Sequence, residues 1–316
     1  MIPAMAGGDL LALLAAIPLA ALGGEAFLKG VLGMAAWLRL PKLLVATTLA
    51  AFATSSPELT VSSLAALAGK PEIGLGDALG SNVVNIGLIL GLALLFGALS
   101  ARFAEIKRDF LLALAVPVLT LILALDGTLS RAEGALLPAL FAVWLMLTVR
   151  QAIAHRRESQ ANAQVDATAT ASPWRAWAFA AVGLTCLILA GRLFVVGASG
   201  IALALGIHAY VIGATVVAIG TSLPELVTTL LARLRGHDDV GLGTLLGSNL
   251  FNGLAIVGVA AAIHPIQAPV GEIAAALGFG VLTVLLILPR RGVIARWRGI
   301  VLLAAYAAFV TATLAL

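Results

Sequence analysis

Long apolar runs separated by short polar loops set the pattern of this chain. Ten runs are readable, near 9–36, 42–68, 73–98, 109–126, 133–150, 175–200, 207–232, 240–263, 270–289 and 297–315. Each is long enough for a helix crossing hydrocarbon, which needs roughly 20 residues. Only helices and closed barrels satisfy their backbone in lipid. The runs are continuous rather than alternating in ten-residue segments, so they predict helices. One long polar stretch interrupts them, QAIAHRRESQANAQVDATATASPW at 151–174. Its composition predicts a flexible linker rather than a domain.

The two sides of that linker repeat each other. AFATSSPEL (51–59) matches AIGTSLPEL (218–226) at six of nine positions, and GLGDALGSNVVN (74–85) matches GLGTLLGSNLFN (241–252) at eight of twelve. Both pairs share an offset of 167 residues, which also aligns Gly24 with Gly191 and Phe27 with Phe194. Residues 1–150 therefore form a first five-helix half and 175–316 a second, with 151–174 as a cytoplasmic linker. Five spans is an odd number, so the second half enters the membrane from the other side. The fold class expected is an all-α membrane protein of ten transmembrane helices in two inverted repeats, a plan that holds substrate at the midplane between repeats.

Composition agrees and adds orientation. The chain is 61% hydrophobic and 11% charged, where soluble domains carry roughly 25% charged residues, so lipid is its main solvent. Basic residues follow the odd-numbered spans: Arg39 and Lys42; Arg102, Lys107 and Arg108; Arg150, Arg156, Arg157 and Arg175; Arg233 and Arg235; Arg290, Arg291, Arg296 and Arg298. The even-numbered loops hold only Lys70 and Arg131. A bias of fifteen to two puts the odd loops in the cytoplasm and both termini outside an inner membrane. The net charge of +4 thus reflects topology and implies no nucleic acid partner. No basic segment precedes the first apolar run, so no cleavable signal peptide is expected. The single cysteine, Cys186, excludes internal disulfides and Cys-rich metal sites.

Glu58 and Glu225 carry the chemistry. Each lies within an apolar span, where an unpaired charge costs at least ~2.5 kcal/mol. A salt-bridged structural carboxylate is the plainer alternative, but no Lys or Arg lies nearby in either span. Pro57 and Pro224 cannot donate to the carbonyls of Ala53 and Gly220, so each helix should break there. Ala51 and Ala218 are candidates for exposed carbonyls, while Thr54, Ser55, Thr221 and Ser222 add hydroxyls. Ser81 and Asn85 share a helix face, as do Ser248 and Asn252. The glycines at 74, 76, 80, 241, 243 and 247 read as close helix packing. The summed site is all oxygen and suits hard cations such as Ca²⁺. The histidines His155, His208, His237 and His264 sit in loops or at span ends and make poor ligands. Nothing here resembles an enzyme, and no cofactor or protein partner is expected beyond the lipid bilayer.

TSSPE with GSNVVN, and GTSLPE with GSNLFN, resemble the two α-repeats of the calcium/cation antiporter superfamily, specifically prokaryotic sodium/calcium exchangers. The resemblance covers both halves. It implies an antiporter in which Na⁺ entry drives Ca²⁺ out by alternating access, with both ions as substrates. Glu58 and Glu225 would coordinate them. Thr54, Ser55, Ser81, Thr221, Ser222 and Ser248 would line flanking Na⁺ sites, with Asn85, Asn252 and the carbonyls of Ala51 and Ala218 completing the set. The first repeat departs from the family pattern at Ala53 and Ser56, where the second carries Gly220 and Leu223. Asn252 matters because an acidic residue there accompanies K⁺-dependent members, and these motifs are read as supplying no carboxylate beyond the two glutamates. Electrogenic, K⁺-independent exchange is therefore expected. A Ca²⁺/H⁺ antiporter is the near alternative; a ten-helix metabolite exporter fits the hydropathy but does not need the paired PE breaks.

Overall fold

The structure is a computed structural model that describes residues 7–162, 172–204 and 218–314. The first span is one helix, α1 (Gly7–Leu38). The second is built from α2 (Lys42–Val45), a π-helical turn at Ala46–Ala50, α3 (Ala51–Thr54) and α4 (Ser56–Leu67). The third runs through α5 (Pro71–Val83), a π-helical turn at Val84–Leu90 and α6 (Gly91–Leu95). Helices α7 (Phe103–Leu123) and α8 (Arg131–Asn162) end the first half.

The second half follows the same order. It opens with α9 (Pro173–Ala204), then α10 (Ala218–Thr221) and α11 (Leu223–Leu234). The eighth span comprises α12 (Asp238–Leu250), a π-helical turn at Phe251–Ile256 and α13 (Val257–Ile263). Helices α14 (Val270–Leu286) and α15 (Trp297–Leu314) close the chain. The start of the seventh span, with His208, lies outside the described residues.

The linker reading needs correction. Helix α8 continues to Asn162, through the first twelve residues of 151–174, and α9 begins already at Pro173. QAIAHRRESQAN contains no Gly or Pro and is rich in Ala, Gln, Glu and Arg, all good helix formers. Nothing in it stops a helix that has left the membrane.

Burial sorts the spans by role. The windows Pro71–Leu95 and Asp238–Ile263 are 78% and 83% buried, whereas Gly8–Leu38, Arg131–Ala154 and Pro173–Ile201 are 22–28% buried, all five being long and apolar enough to cross a membrane. The third and eighth spans are thus the centre, and their side chains Leu90, Leu94, Leu245, Leu246 and Leu250 share one core cluster. Helices α1 and α9 lie antiparallel on the periphery. A Cβ on Gly183 would sit 2.3 Å from the Phe27 nitrogen, and one on Gly30 would sit 2.4 Å from the Ala180 nitrogen. Such contact between backbones gives van der Waals attraction in lipid, where no hydrophobic drive exists. Their outer faces present Leu11, Ile17, Leu22, Val182 and Val196.

The inverted repeat is visible in detail. Gly69 and Gly236 hold φ of +74° and +73° and close equivalent turns. Lys70 N–H donates to the Ala65 carbonyl and His237 N–H to that of Ala232, the same helix-ending motif in both halves. Short antiparallel strand pairs clip the halves together: β1 (Leu99–Ser100) with β4 (Val293–Ile294), and β2 (Thr128–Leu129) with β3 (Ile266–Gln267). At the first clip Arg233 bonds Asp238 and the Ala98 carbonyl. At the second Arg131 reaches the Ile263 carbonyl.

Candidate functional site

The two prolines break their spans at matched points. Ser55 leaves helical geometry with φ −86° and ψ 9°, and Ser222 with φ −85° and ψ 13°. The residues beyond each break start a new helix, α4 or α11, with Pro57 or Pro224 in its first turn. Glu58 and Glu225 are therefore at once within a span and in the first turn of a helix. Free N–H groups and the helix dipole at that end favour a carboxylate.

Nine predicted side-chain ligands, Thr54, Ser55, Glu58, Ser81, Asn85, Ser222, Glu225, Ser248 and Asn252, are buried, all at 1% exposure or less. Ser55 Oγ donates to Glu225 Oε1 at 3.2 Å and Ser248 Oγ to the same oxygen at 3.1 Å, so both repeats meet on one carboxylate. The Thr54 hydroxyl also faces Glu225. On the other flank Ser222 faces Glu58 and donates to Ser81 Oγ at 3.5 Å. Thr221 is half-buried and lines a cavity of about 470 Å³ with Ser56, Pro57, Gly191, Gly220 and Pro224.

The backbone carbonyls behave differently from the simplest expectation. Ala51 O accepts from Ser55 N–H at 3.0 Å and from the Thr54 hydroxyl, so its helix bond survives the break. The carbonyl that Pro57 orphans is that of Ala53, and Ser56 Oγ captures it at 2.7 Å. The departure at position 56 thus repairs the first break with a hydroxyl that Leu223 does not have. Ala218 begins α10. Among the glycines, Gly74 lies against Ser62, Gly241 against Thr229, and Gly243 and Gly247 against the carbonyls of Leu43 and Thr47. No neighbour within 4 Å is seen for Gly76 or Gly80, and the residues matching Leu43 and Thr47 by the repeat lie outside the described ones.

Sequence reasoning missed Asn82 and Asn249. Asn82 Nδ2 donates to the Asn249 carbonyl at 3.3 Å, and Asn249 Nδ2 to the Asn82 carbonyl at 3.2 Å, across a separation of 167 residues. A reciprocal bond at the repeat offset marks the pseudo-two-fold axis. Asn85 Nδ2 joins it by donating to Asn249 Oδ1 at 3.0 Å. The π-helical turns begin at Val84 and Phe251, one residue before Asn85 and Asn252, and such turns frequently mark functional positions.

A third carboxylate was also missed. Asp77 sits within GLGDALGSNVVN, one turn before Ser81, within electrostatic range of both glutamates. The reading that these motifs supply only two carboxylates is therefore wrong. It rested on identical positions in the repeats, and Asp77 is matched by Thr244.

The site has a consistent chemical bias. Glu58 Oε2, Glu225 Oε2, Asn82 Oδ1, Asn85 Oδ1, Asn252 Oδ1 and Asp77 Oδ2 are buried acceptors with no donor. The hydroxyls of Thr228 and Thr229, just beyond Glu225, are likewise buried and unpaired. Unsatisfied buried polar atoms are rare in native proteins, and each costs about 1–3 kcal/mol. A cluster of acceptor-only oxygens matches a positive ion.

Comparison with known proteins gives a family. The sequence model described as "Sodium/calcium exchanger protein" matches residues 9–150 and 175–315. The chain is 36% identical over 243 residues to the putative antiporter CaxA of Alkalimonas amylolytica, covering 76% of each chain. It is 28% identical over 327 residues to the sodium/calcium exchanger MaX1 of Methanosarcina acetivorans, covering 91% of this chain and 93% of that one. Among solved structures, the sodium-calcium exchanger NCX_Mj soaked with Na⁺ and Sr²⁺ superposes with a TM-score of 0.82 at 28% identity, covering 98% of this chain and 99% of that one.

The Ser56 contact generates a test. Ser56→Ala leaves the Ala53 carbonyl without its hydroxyl and should cost about 1 kcal/mol, seen as a lower midpoint in thermal unfolding of the purified protein. Ser56→Thr should retain most of that stability.

Proposed function

Because the chain belongs to the sodium/calcium exchanger family, we propose that this membrane cation antiporter exchanges Na⁺ for Ca²⁺ across the inner membrane, electrogenically and without K⁺. The observation that carries the reading is the set of buried acceptor oxygens on Glu58, Glu225, Asn82, Asn85 and Asn252 where the inverted halves cross. Glu58 and Glu225 share the central ion, and their joint charge of −2 offsets Ca²⁺ or two Na⁺ in low dielectric. Thr54, Ser55, Ser248 and the Ala51 carbonyl serve the flank nearer Glu225. Ser81, Thr221, Ser222 and the Ala218 carbonyl serve the flank nearer Glu58. Asn85 and Asn252 complete the centre with neutral oxygens, so no co-bound K⁺ is required there. The Asp77 carboxylate lies a turn beyond Ser81, so the central position between Asn85 and Asn252 itself stays neutral.

Alternating access needs a path from each side. The 470 Å³ cavity reaches both proline breaks from between α4 and α9. A second cavity, about 930 Å³, lies at the end carrying Lys42, Arg102, Arg108 and Asp238, and reaches Thr47. The site lies between them. We assign the basic end to the cytoplasm on the fifteen-to-two loop bias, which leaves both termini outside.

Neutralising either glutamate removes half of the charge that offsets Ca²⁺. Glu58→Gln and Glu225→Gln should each abolish Na⁺-driven Ca²⁺ uptake into proteoliposomes while eluting as folded protein. Wild-type-like uptake in either variant refutes the assignment. With three Na⁺ against one Ca²⁺, the stoichiometry that the family resemblance implies, each cycle moves one net charge, so uptake into Na⁺-loaded vesicles should rise with an inside-positive potential and fall against an opposing one. Replacing K⁺ by choline on both sides should leave that flux intact, and a flux driven equally by a proton gradient would favour the Ca²⁺/H⁺ reading. Orientation has its own readout: a cysteine at Lys70 should react with impermeant reagent only from outside intact cells, and one at Arg156 only in inverted vesicles.

A further inference from the structure

Along one face of the third span three oxygen-bearing side chains follow each other four residues apart: Asn85, Ser81 and Asp77. The innermost, Asn85, bonds Asn249 on the repeat axis. Ser81 comes next and meets Ser222 from the other repeat. Asp77 is the outermost, roughly 6 Å further along the helix at 1.5 Å per residue. Its Oδ2 is buried and unpartnered, and no cation pairs with it among the described residues. A carboxylate in that position is costly unless something positive answers it.

The mirrored face ends differently. Asn252 and Ser248 repeat the first two positions, but the third is Thr244, fully buried, with its hydroxyl donating to the Val240 carbonyl at 2.9 Å. That end is neutral, its hydroxyl already spent. The line of oxygens through the protein is therefore charged at the Asp77 end only. Asp77 lies within electrostatic range of the central pair but does not join it on one ion: among the described residues no three acidic, histidine or cysteine groups gather closely enough to hold one. It serves a position of its own.

Resting on the exchange reading above, we propose that Asp77 supplies the third negative charge of the transport site and holds a monovalent cation, Na⁺, at the Ser81–Ser222 end when the site is loaded with Na⁺. The charge balance gives the reason. Two glutamates match Ca²⁺ alone, but three Na⁺ bring +3, and one positive charge would stay unanswered in a poorly solvated cavity. Asp77 answers it. Its carboxylate faces +3 in the Na⁺-loaded form and +2 in the Ca²⁺-loaded form, and the cation nearest to it is present only in the first. It thereby favours Na⁺ loading over Ca²⁺ loading, a specificity role distinct from that of the glutamates.

The experiment measures Ca²⁺ flux in proteoliposomes as a function of Na⁺ and, separately, of Ca²⁺, for wild type, Asp77→Asn, Asp77→Glu and Asp77→Thr. The last copies the residue that the fold accepts at Thr244 and covers failure of the first to fold. Loss of the charge should raise half-saturating Na⁺ about tenfold and lower the steepness from about three ions toward two, on the scale of one screened charge. Half-saturating Ca²⁺ should move by less than about threefold, because the central pair is intact. Asp77→Glu should recover the Na⁺ dependence. Neutral variants with wild-type Na⁺ dependence, or with equal shifts for both ions, overturn the assignment of Asp77 while leaving exchange itself standing. A wild type with no Na⁺-dependent Ca²⁺ flux overturns the exchange reading, and the Asp77 proposal with it.

Discussion

Within the hydrocarbon thickness of a bilayer, an acceptor oxygen has no water to complete it, and protein donors there are few because the helical backbone has used its own. Glu58 and Glu225 each keep one oxygen in that condition. Their other partners are hydroxyls: Ser55 and Ser248 for one, Ser222 for the other. A hydroxyl can turn its proton toward a carboxylate or its lone pair toward a cation. A site built from such groups changes occupant without changing residues, which an Arg or Lys partner would forbid. The breaks at Ser55 and Ser222 follow from the same need, since a carboxylate in the first turn of a new helix gains the N–H field of that helix.

The breaks would be useless if they did not meet, and the central pair of spans makes them meet. Asn82 and Asn249 exchange side-chain-to-backbone bonds across the axis, pinning the third span to the eighth. The π-helical turns at Val84–Leu90 and Phe251–Ile256 add width to each helix from two residues past these amides. Gly243 and Gly247 let the second span press its Leu43 and Thr47 carbonyls against the eighth, bringing Ser55 to a carboxylate of the opposite repeat. The strand clips at the two ends hold the halves in that register.

How much of this the residues disclose depends on which property is asked for. Hydropathy and the 167-residue offset suffice for helices, inversion and the paired PE breaks, because each rests on many residues at once. The Asn82–Asn249 contact rests on two, and GSNVVN offers three polar candidates of which only geometry selects the one on the axis. Ser56 was visible as a departure from the second repeat, but that its hydroxyl reaches the carbonyl orphaned by Pro57 is a matter of rotamer. The first part of 151–174 reads as linker because its side chains are polar; helix propensity, not polarity, governs a segment that continues a helix already formed.

Asp77 shows where reasoning from repeats is weakest. Matching two halves directs attention to what they share, and transport by inversion needs that shared part to present alike to both sides of the membrane. What the two sides do not share is equally physical. One meets a site whose last oxygen is a free carboxylate, the other a site whose last hydroxyl is already spent on Val240. A perfectly symmetric site would hold each ion set with equal strength at its two ends. The Asp77–Thr244 difference removes that equality at a single pair of positions, without touching the glutamates that both conformations must use.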